Sequence, residues 1–183
     1  MSALLRFDGV GLRRGGRLLF EGLDLALNSG EALQIAGPNG SGKSSLIRLA
    51  AGLLDAADGR IERAPFALAD DYLALDTELP LRRALSFWGG NVIPAMTAFG
   101  IGHLAPIPVR FLSSGQRKRA TLARVAASGA PLWLLDEPLN ALDAAGVALL
   151  SRAVADHLAG GGAVVAASHQ PLAGTWRTVE LGA

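Results

Sequence analysis

One run of residues constrains this chain more than any other: Gly37, Pro38, Asn39, Gly40, Ser41, Gly42, Lys43 and Ser44. It matches Gly-x-x-x-x-Gly-Lys-Ser/Thr at every fixed position. It follows a short apolar segment, Glu31 to Ala36, and precedes a segment with Leu46, Ile47, Leu49 and Ala50 at helical spacing. The order predicts strand, loop and helix. Glycines let the backbone curl until successive N–H groups point inward. The helix start adds roughly half a positive charge at the same place. Such a cradle holds phosphate oxygens. Lys43 is expected on the β- and γ-phosphates of a nucleoside triphosphate, with Ser45 in the same set. The Ser44 hydroxyl suits Mg²⁺, a hard ion that prefers oxygen. A chance glycine-rich turn would not bring the whole pattern and its strand–helix context together. Alone, the pattern does not choose between a kinase, a GTPase and a transporter.

The rest of the chain repeats the alternation. Short patterns from Leu4 to Val10 and Leu23 to Leu27 suit strands, and Pro131 to Leu135 and Ala163 to Ala167 read as buried strands. Helices are expected at Ser114–Ser128 and Ala144–Leu158, the latter stopped by Gly160, Gly161 and Gly162. From about Asp70 to Pro108 the chain reads as helices broken by Gly89-Gly90, Pro94 and Gly100. Apolar strands alternating with helices imply a parallel sheet covered on both faces. With 183 residues, one domain spanning 1–183 is expected. No cysteine is present, so disulfides, thiolate metal sites and covalent haem attachment are excluded. A net charge of +1 argues against a broad nucleic-acid face. No run of about 18 apolar residues suggests a membrane span, and Met1 to Arg6 does not read as a signal peptide.

Later motifs narrow the choice. Leu112-Ser-Ser-Gly-Gln116 opens a helix carrying Arg117, Lys118, Arg119 and Arg124; Leu132-Trp-Leu-Leu-Asp-Glu137 ends a strand. Asn140-Ala-Leu-Asp143 and Ser168-His169 follow. Singly each has a bland reading. An Asp-Glu pair is usually a solvated strand end, Ser113 or Ser114 is a good helix cap, and a basic stripe is usually a solvated face. His103 and His157 read as structural. The ordered set resembles the ABC ATPases, from about Arg6 to Pro171.

That resemblance implies an α/β fold of the ABC type of P-loop NTPase. It has a mostly parallel core sheet, an antiparallel β subdomain and a small helical insert at about 72–128. It implies ATP and Mg²⁺, with Ser44 and Asp136 on the metal. Glu137 would be the general base and His169 the γ-phosphate contact. Ser113, Ser114, Gly115, Gln116 and Asp143 would complete the site of a second copy, giving an ATP-sandwiched homodimer.

Three departures stand out. Arg14, just before Gly15-Gly16, replaces the aromatic residue on which many members stack adenine; its guanidinium plane offers an alternative surface. Asp71 falls near the position of the family's Q-loop glutamine and could offer Mg²⁺ an oxygen. Ser114 replaces the first signature glycine, which is tolerable if the backbone there needs no positive φ.

Within the family, Gly30-Glu-Ala-Leu-Gln-Ile-Ala36, Lys43-Ser-Ser-Leu-Ile-Arg48 and Ser168-His-Gln-Pro-Leu172 resemble the cytochrome c maturation, or haem exporter, branch. That branch implies a membrane permease like CcmB, haem-handling membrane proteins, and a peripheral place on the cytoplasmic face of the inner membrane. Leu85, Phe87 and Trp88 are candidates for seating a partner helix, although packing inside the insert is the commoner fate of each. The ATPase subunit of another ABC transporter and a soluble non-transport ABC ATPase stay open as alternatives.

Overall fold

The computed structural model describes residues 3–70 and 72–181. Strands β1 (Leu5–Arg14) and β2 (Arg17–Leu27) form an antiparallel hairpin. Gly15 and Gly16 turn it with φ of 55° and 77°, the pair of left-handed angles a two-residue hairpin needs. β3 (Ala32–Ala36) leads into α1 (Lys43–Ala50), and β4 (Asp58–Arg63) returns to the free edge of β1. β5 (Phe66–Ala69) starts the way into the helical region. There α2 (Leu81–Ser86), α3 (Val92–Ala98) and α4 (Ser114–Ala127) follow one another. Then come β6 (Leu132–Asp136), α5 (Ala144–Ala159), β7 (Ala163–Ala167) and β8 (Arg177–Glu180).

Two sheets result. The antiparallel one has the order β2-β1-β4, and the other has the order β5-β6-β7-β3-β8 with every neighbouring pair parallel. The expected parallel core sheet and antiparallel sheet are therefore both present. β6 and β7 are buried at every position, because both faces of the parallel sheet are covered. Period-two alternation divides their side chains. Leu132, Leu134, Val165 and Ala167 join an apolar cluster with α1 and the antiparallel sheet. Trp133, Leu135, Val164 and Ala166 join the cluster that holds α4, Leu150 and Val154 of α5, and the short helices. Parallel pairing sends the C-terminal ends of β3, β6 and β7 to one edge. The loops that leave there begin at Gly37, Glu137 and Ser168, so topology alone gathers the chemistry.

The helical region corrects three expectations. Pro94 does not break a helix; it lies in the first turn of α3, where its missing N–H has no intrahelical role. Leu85 is 1% exposed and packs inside, the commoner fate expected of it, whereas Phe87 does not. Phe87 is 82% exposed, and Trp88 lies under the Arg124 guanidinium, 4.8 Å from its ring centre, with its indole N–H on the Ala74 carbonyl. The basic stripe of α4 is also no purely solvated face. Lys118 reaches the Asp136 carbonyl, Arg119 pairs with Asp143, and Arg124 donates to the Leu68 carbonyl. Burial holds the Arg124 pKa below its ordinary value, and the charge of Asp70 offsets part of that. His157 is structural as expected, stacked on Trp133 at 3.9 Å with an interplanar angle of 12°.

Candidate functional site

The loop Gly37 to Gly42 forms a cradle whose glycines are dictated by angle and by space. Gly37, Gly40 and Gly42 have φ of 140°, 82° and 104°. A Cβ on Gly37 would lie 2.4 Å from the Leu181 carbonyl oxygen, so no side chain fits there. Lys43 is 6% exposed and its ammonium donates to the carbonyls of Gly37 and Pro38 at 2.8 and 3.0 Å. The cation thus lies across the mouth of the loop. Ser41 Oγ is buried in the cradle with no hydrogen-bond partner among the described residues.

β6 brings Asp136 to the same place. Its carboxylate Oδ1 accepts from Ser44 Oγ at 2.9 Å, and the residue is 4% exposed. A hydroxyl and a carboxylate oxygen side by side at the end of the cradle form the hard donor set that Mg²⁺ prefers. The Ser44 side chain is the first hydroxyl of α1, so the register of that helix on β6 fixes the pair.

Glu137 follows at a sharp bend. Its φ is 44°, a left-handed angle rare outside glycine, and its N–H donates to the Ala167 carbonyl at 2.9 Å. The bend aims the carboxylate away from the strand and toward His169, whose Nδ1 lies 2.9 Å from Glu137 Oε2. A carboxylate only accepts, so Nδ1 carries the proton of that bond. Strain at such a position is a mark of functional sites.

A cleft of about 510 Å³ opens here, lined by Arg14, Leu19, Asn39, Gly40, Gly42, Lys43, Ser44, Ser45 and Glu137; Asp136 and His169 stand behind it, bonded to Ser44 and Glu137. Arg14 enters from the end of β1, and its Nη1 donates to Ser45 Oγ at 3.4 Å. The antiparallel sheet forms the apolar wall: a Cβ on Gly42 would touch Leu19 at 3.4 Å. The cleft can hold a triphosphate on the cradle, with an arginine in place of an aromatic ring beside it.

The signature segment is not part of this cleft. Ser113 caps α4, accepting from the Gln116 N–H at 3.2 Å while the Gln116 side chain accepts from the Ser113 N–H at 2.9 Å. Ser114 is the first helical residue and does not share the positive φ of Glu137 and Ala141, so serine is tolerated in place of glycine. Gly115 packs on the loop after β6, where a Cβ would lie 2.9 Å from the Ala141 carbonyl oxygen. Asp143 caps α5 through the Gly146 N–H at 2.8 Å and pairs with Arg119. The Gly146 N–H first, and Arg119 second, hold the Asp143 carboxyl below the usual range. Asp71 lies outside the described residues.

Two residues not expected at the site, Gln34 and Lys118, also reach it. Gln34 bonds the loop that bears His169, and Lys118 donates to the Asp136 carbonyl at 3.4 Å. A lone amide inside the otherwise apolar strand Ala32–Ala36 was the available signal for Gln34. Lys118 carried none, being one cation in a stripe of them.

Comparison with known proteins gives the same answer as the geometry. Residues 20–140 match the family model described as ABC transporter. The "Cytochrome c biogenesis ATP-binding export protein CcmA" of Sphingopyxis alaskensis is 57% identical, over 94% of this chain and 93% of that protein. The protein of the same name from Rhodopseudomonas palustris is 44% identical, over 98% of this chain and 99% of its own length. Among solved structures, an ATP binding subunit of an ABC transporter superposes with a TM-score of 0.82 at 21% identity, covering 91% of this chain and 79% of the other. CbiO1 of the cbiONQ ABC transporter complex of Clostridium perfringens gives 0.77 at 24% identity, covering 93% and 80%. These likenesses concern the fold. With a nucleotide cradle, an acid–histidine pair at one cleft, and relatives of this identity along nearly its whole length, the chain belongs to the ABC transporter ATP-binding family and, within it, to the CcmA group.

Proposed function

We propose that this chain binds ATP at the cleft of Lys43, Ser44, Asp136 and Glu137 and hydrolyses it to ADP and phosphate. It does so as the energy-supplying subunit of a membrane complex for cytochrome c maturation, powering haem delivery or release of a haem chaperone. The observation that carries the chemistry is the 2.9 Å contact of His169 with Glu137 beside the 2.9 Å contact of Ser44 with Asp136.

The residues divide the work. The N–H groups of Gly40 to Ser45 and the Lys43 ammonium hold the β- and γ-phosphates, the ammonium leaving the carbonyls it now occupies. Ser44 and Asp136 would hold Mg²⁺, which when bound neutralises charge on the phosphate oxygens. Glu137 accepts the proton of the attacking water, and His169 orients the γ-phosphate. The water oxygen bonds to the γ-phosphorus as its bond to the bridging oxygen breaks. Arg14 flanks the base in place of an aromatic ring. Asp71 is a further oxygen donor to the metal in this reading.

Ser113, Ser114, Gly115, Gln116 and Asp143 stand clear of their own chain's cleft, which supports a role across an ATP-sandwiched homodimer. A membrane permease like CcmB and haem-handling membrane proteins are the further partners, at the cytoplasmic face of the inner membrane. Among the described residues no helix is long and apolar enough to cross a membrane, in keeping with peripheral attachment. The helical insert at about 72–128 of this single domain, 1–183, is the docking side.

Glu137→Gln tests the reading. It is isosteric and removes the proton acceptor, so ATP binding survives and turnover falls at least about 100-fold. Size-exclusion chromatography of the variant is expected to show a dimer that forms only with ATP. Wild-type turnover in this variant would remove Glu137 from the chemistry.

A further inference from the structure

We propose that Gln34 is a positioning residue for His169, acting through the main chain of the loop that bears it. The inference rests on the reading of His169 given above and deepens it. β7 ends at Ala167, and the last ladder bond to β3 is from the Ser168 N–H to the Ile35 carbonyl at 3.2 Å. Beyond it the carbonyls of Ser168 and Gln170 have left the strand pairing. The Gln34 side-chain amide meets both, donating at 3.4 Å to Ser168 O and 2.8 Å to Gln170 O. Its two N–H groups suit two acceptors.

A second clamp sits inside the loop. Ser168 is fully buried, and its Oγ donates to Gln170 O at 2.9 Å while accepting from the Gln170 N–H at 3.1 Å. The main chain is therefore pinned on both sides of His169, whose half-exposed ring meets Glu137. Its Nε2 lies 3.3 Å from Gln170 Nε2, which donates when Nδ1–H is given to Glu137, so the loop also selects the tautomer.

The choice of strand is the point. Gln34 stands on β3, whose next turn is the phosphate cradle starting at Gly37. Both edges of β3 are already paired, to β7 and β8, so the amide is not needed for the ladder. One short rigid strand carries the phosphate loop at its end and the histidine loop on a side chain. That fixes the distance between His169 and a γ-phosphate, where a displacement of about 1 Å costs on the order of 100-fold in rate.

The test measures ATP turnover by the full chain assembled with its membrane subunits, for Gln34→Met, His169→Ala and the double variant. Gln34→Met keeps the shape and removes both donors. The expected result is a roughly 10- to 100-fold fall in kcat with KM for ATP within about twofold. No further loss is expected when the change is added to His169→Ala, since both act through one group. A merely structural role would raise KM through the cradle and would multiply with His169→Ala. Ser168→Ala loosens the same loop without touching β3, and gives the same pattern if Gln34→Met does not fold. Wild-type turnover in Gln34→Met, or multiplicative losses in the double variant, overturns the proposal. If His169→Ala alone lowers turnover, only the role of Gln34 fails; if His169→Ala is silent, the reading beneath it fails too.

Discussion

Ser44→Ala removes one hydroxyl and separates two consequences that the cleft ties together. In the absence of nucleotide, Ser44 Oγ donates to Asp136 Oδ1 at 2.9 Å, and Asp136 is only 4% exposed. A hydrogen bond to a charged acceptor contributes about 1.5–3 kcal/mol, and water has poor access to replace it. For a chain of this size each kcal/mol shifts Tm by roughly 2–4 °C, so the nucleotide-free variant should melt about 3–12 °C lower. The second consequence appears with ATP present. The hydroxyl is a direct oxygen donor in the proposed Mg²⁺ site, and its loss should weaken apparent Mg²⁺ affinity by about 10- to 100-fold. ATP affinity without Mg²⁺ should change little, because the cradle N–H groups and Lys43 remain. Thermal unfolding with and without ATP, across a Mg²⁺ titration, reads both effects. A variant with wild-type melting and an unchanged Mg²⁺ titration would refute the pairing and the metal assignment together.

Two further outcomes follow from named contacts. Lys43→Ala should lose ATP binding by at least about 100-fold in equilibrium measurements, since its ammonium lies across the cradle; unchanged affinity would remove it from the phosphate site. Burial holds the His157 imidazole below its ordinary value of 6.5, with the main chain at Pro131 and Ala163 offsetting part of the effect. The unfolded chain therefore takes up that proton first. The stabilisation is full above about pH 6.5 and is lost as pH falls through the lower folded value. His157→Phe, which keeps a ring on Trp133, should flatten the acid side of the stability profile between about pH 7 and 5; an unchanged profile would assign the acid loss to other groups.

Legibility in the sequence followed burial. β3, β6 and β7 were readable because a strand covered on both faces is mostly apolar, with Gln34 and Asp136 the exceptions, and α4 and α5 because caps and glycines mark their ends. β4 and β8 were not, since edge strands such as Asp58–Arg63 and Arg177–Glu180 bury only one face or neither, and charges hide the pattern. β5 has only four residues and carries no countable alternation. The cradle and the Asp136–Glu137 step were visible as local motifs. The contact of Glu137 with His169 and the amide of Gln34 join residues far apart in sequence, and only the parallel register of β3, β6 and β7 brings them together. Leu85 packs in the core on α2, the commoner fate expected for a residue of its type. Phe87, beside it, is 82% exposed and keeps the role expected for it open to a partner.

In the function proposed above, ATP hydrolysis by this chain drives cytochrome c maturation. Its most direct test is a haem stain for c-type cytochromes in cells lacking the gene, complemented with wild type or with Glu137→Gln. The expected result is that the cytochromes disappear and that only the wild-type gene restores them. Normal cytochromes without the gene would contradict the maturation role, and restoration by Glu137→Gln would contradict the part given to hydrolysis.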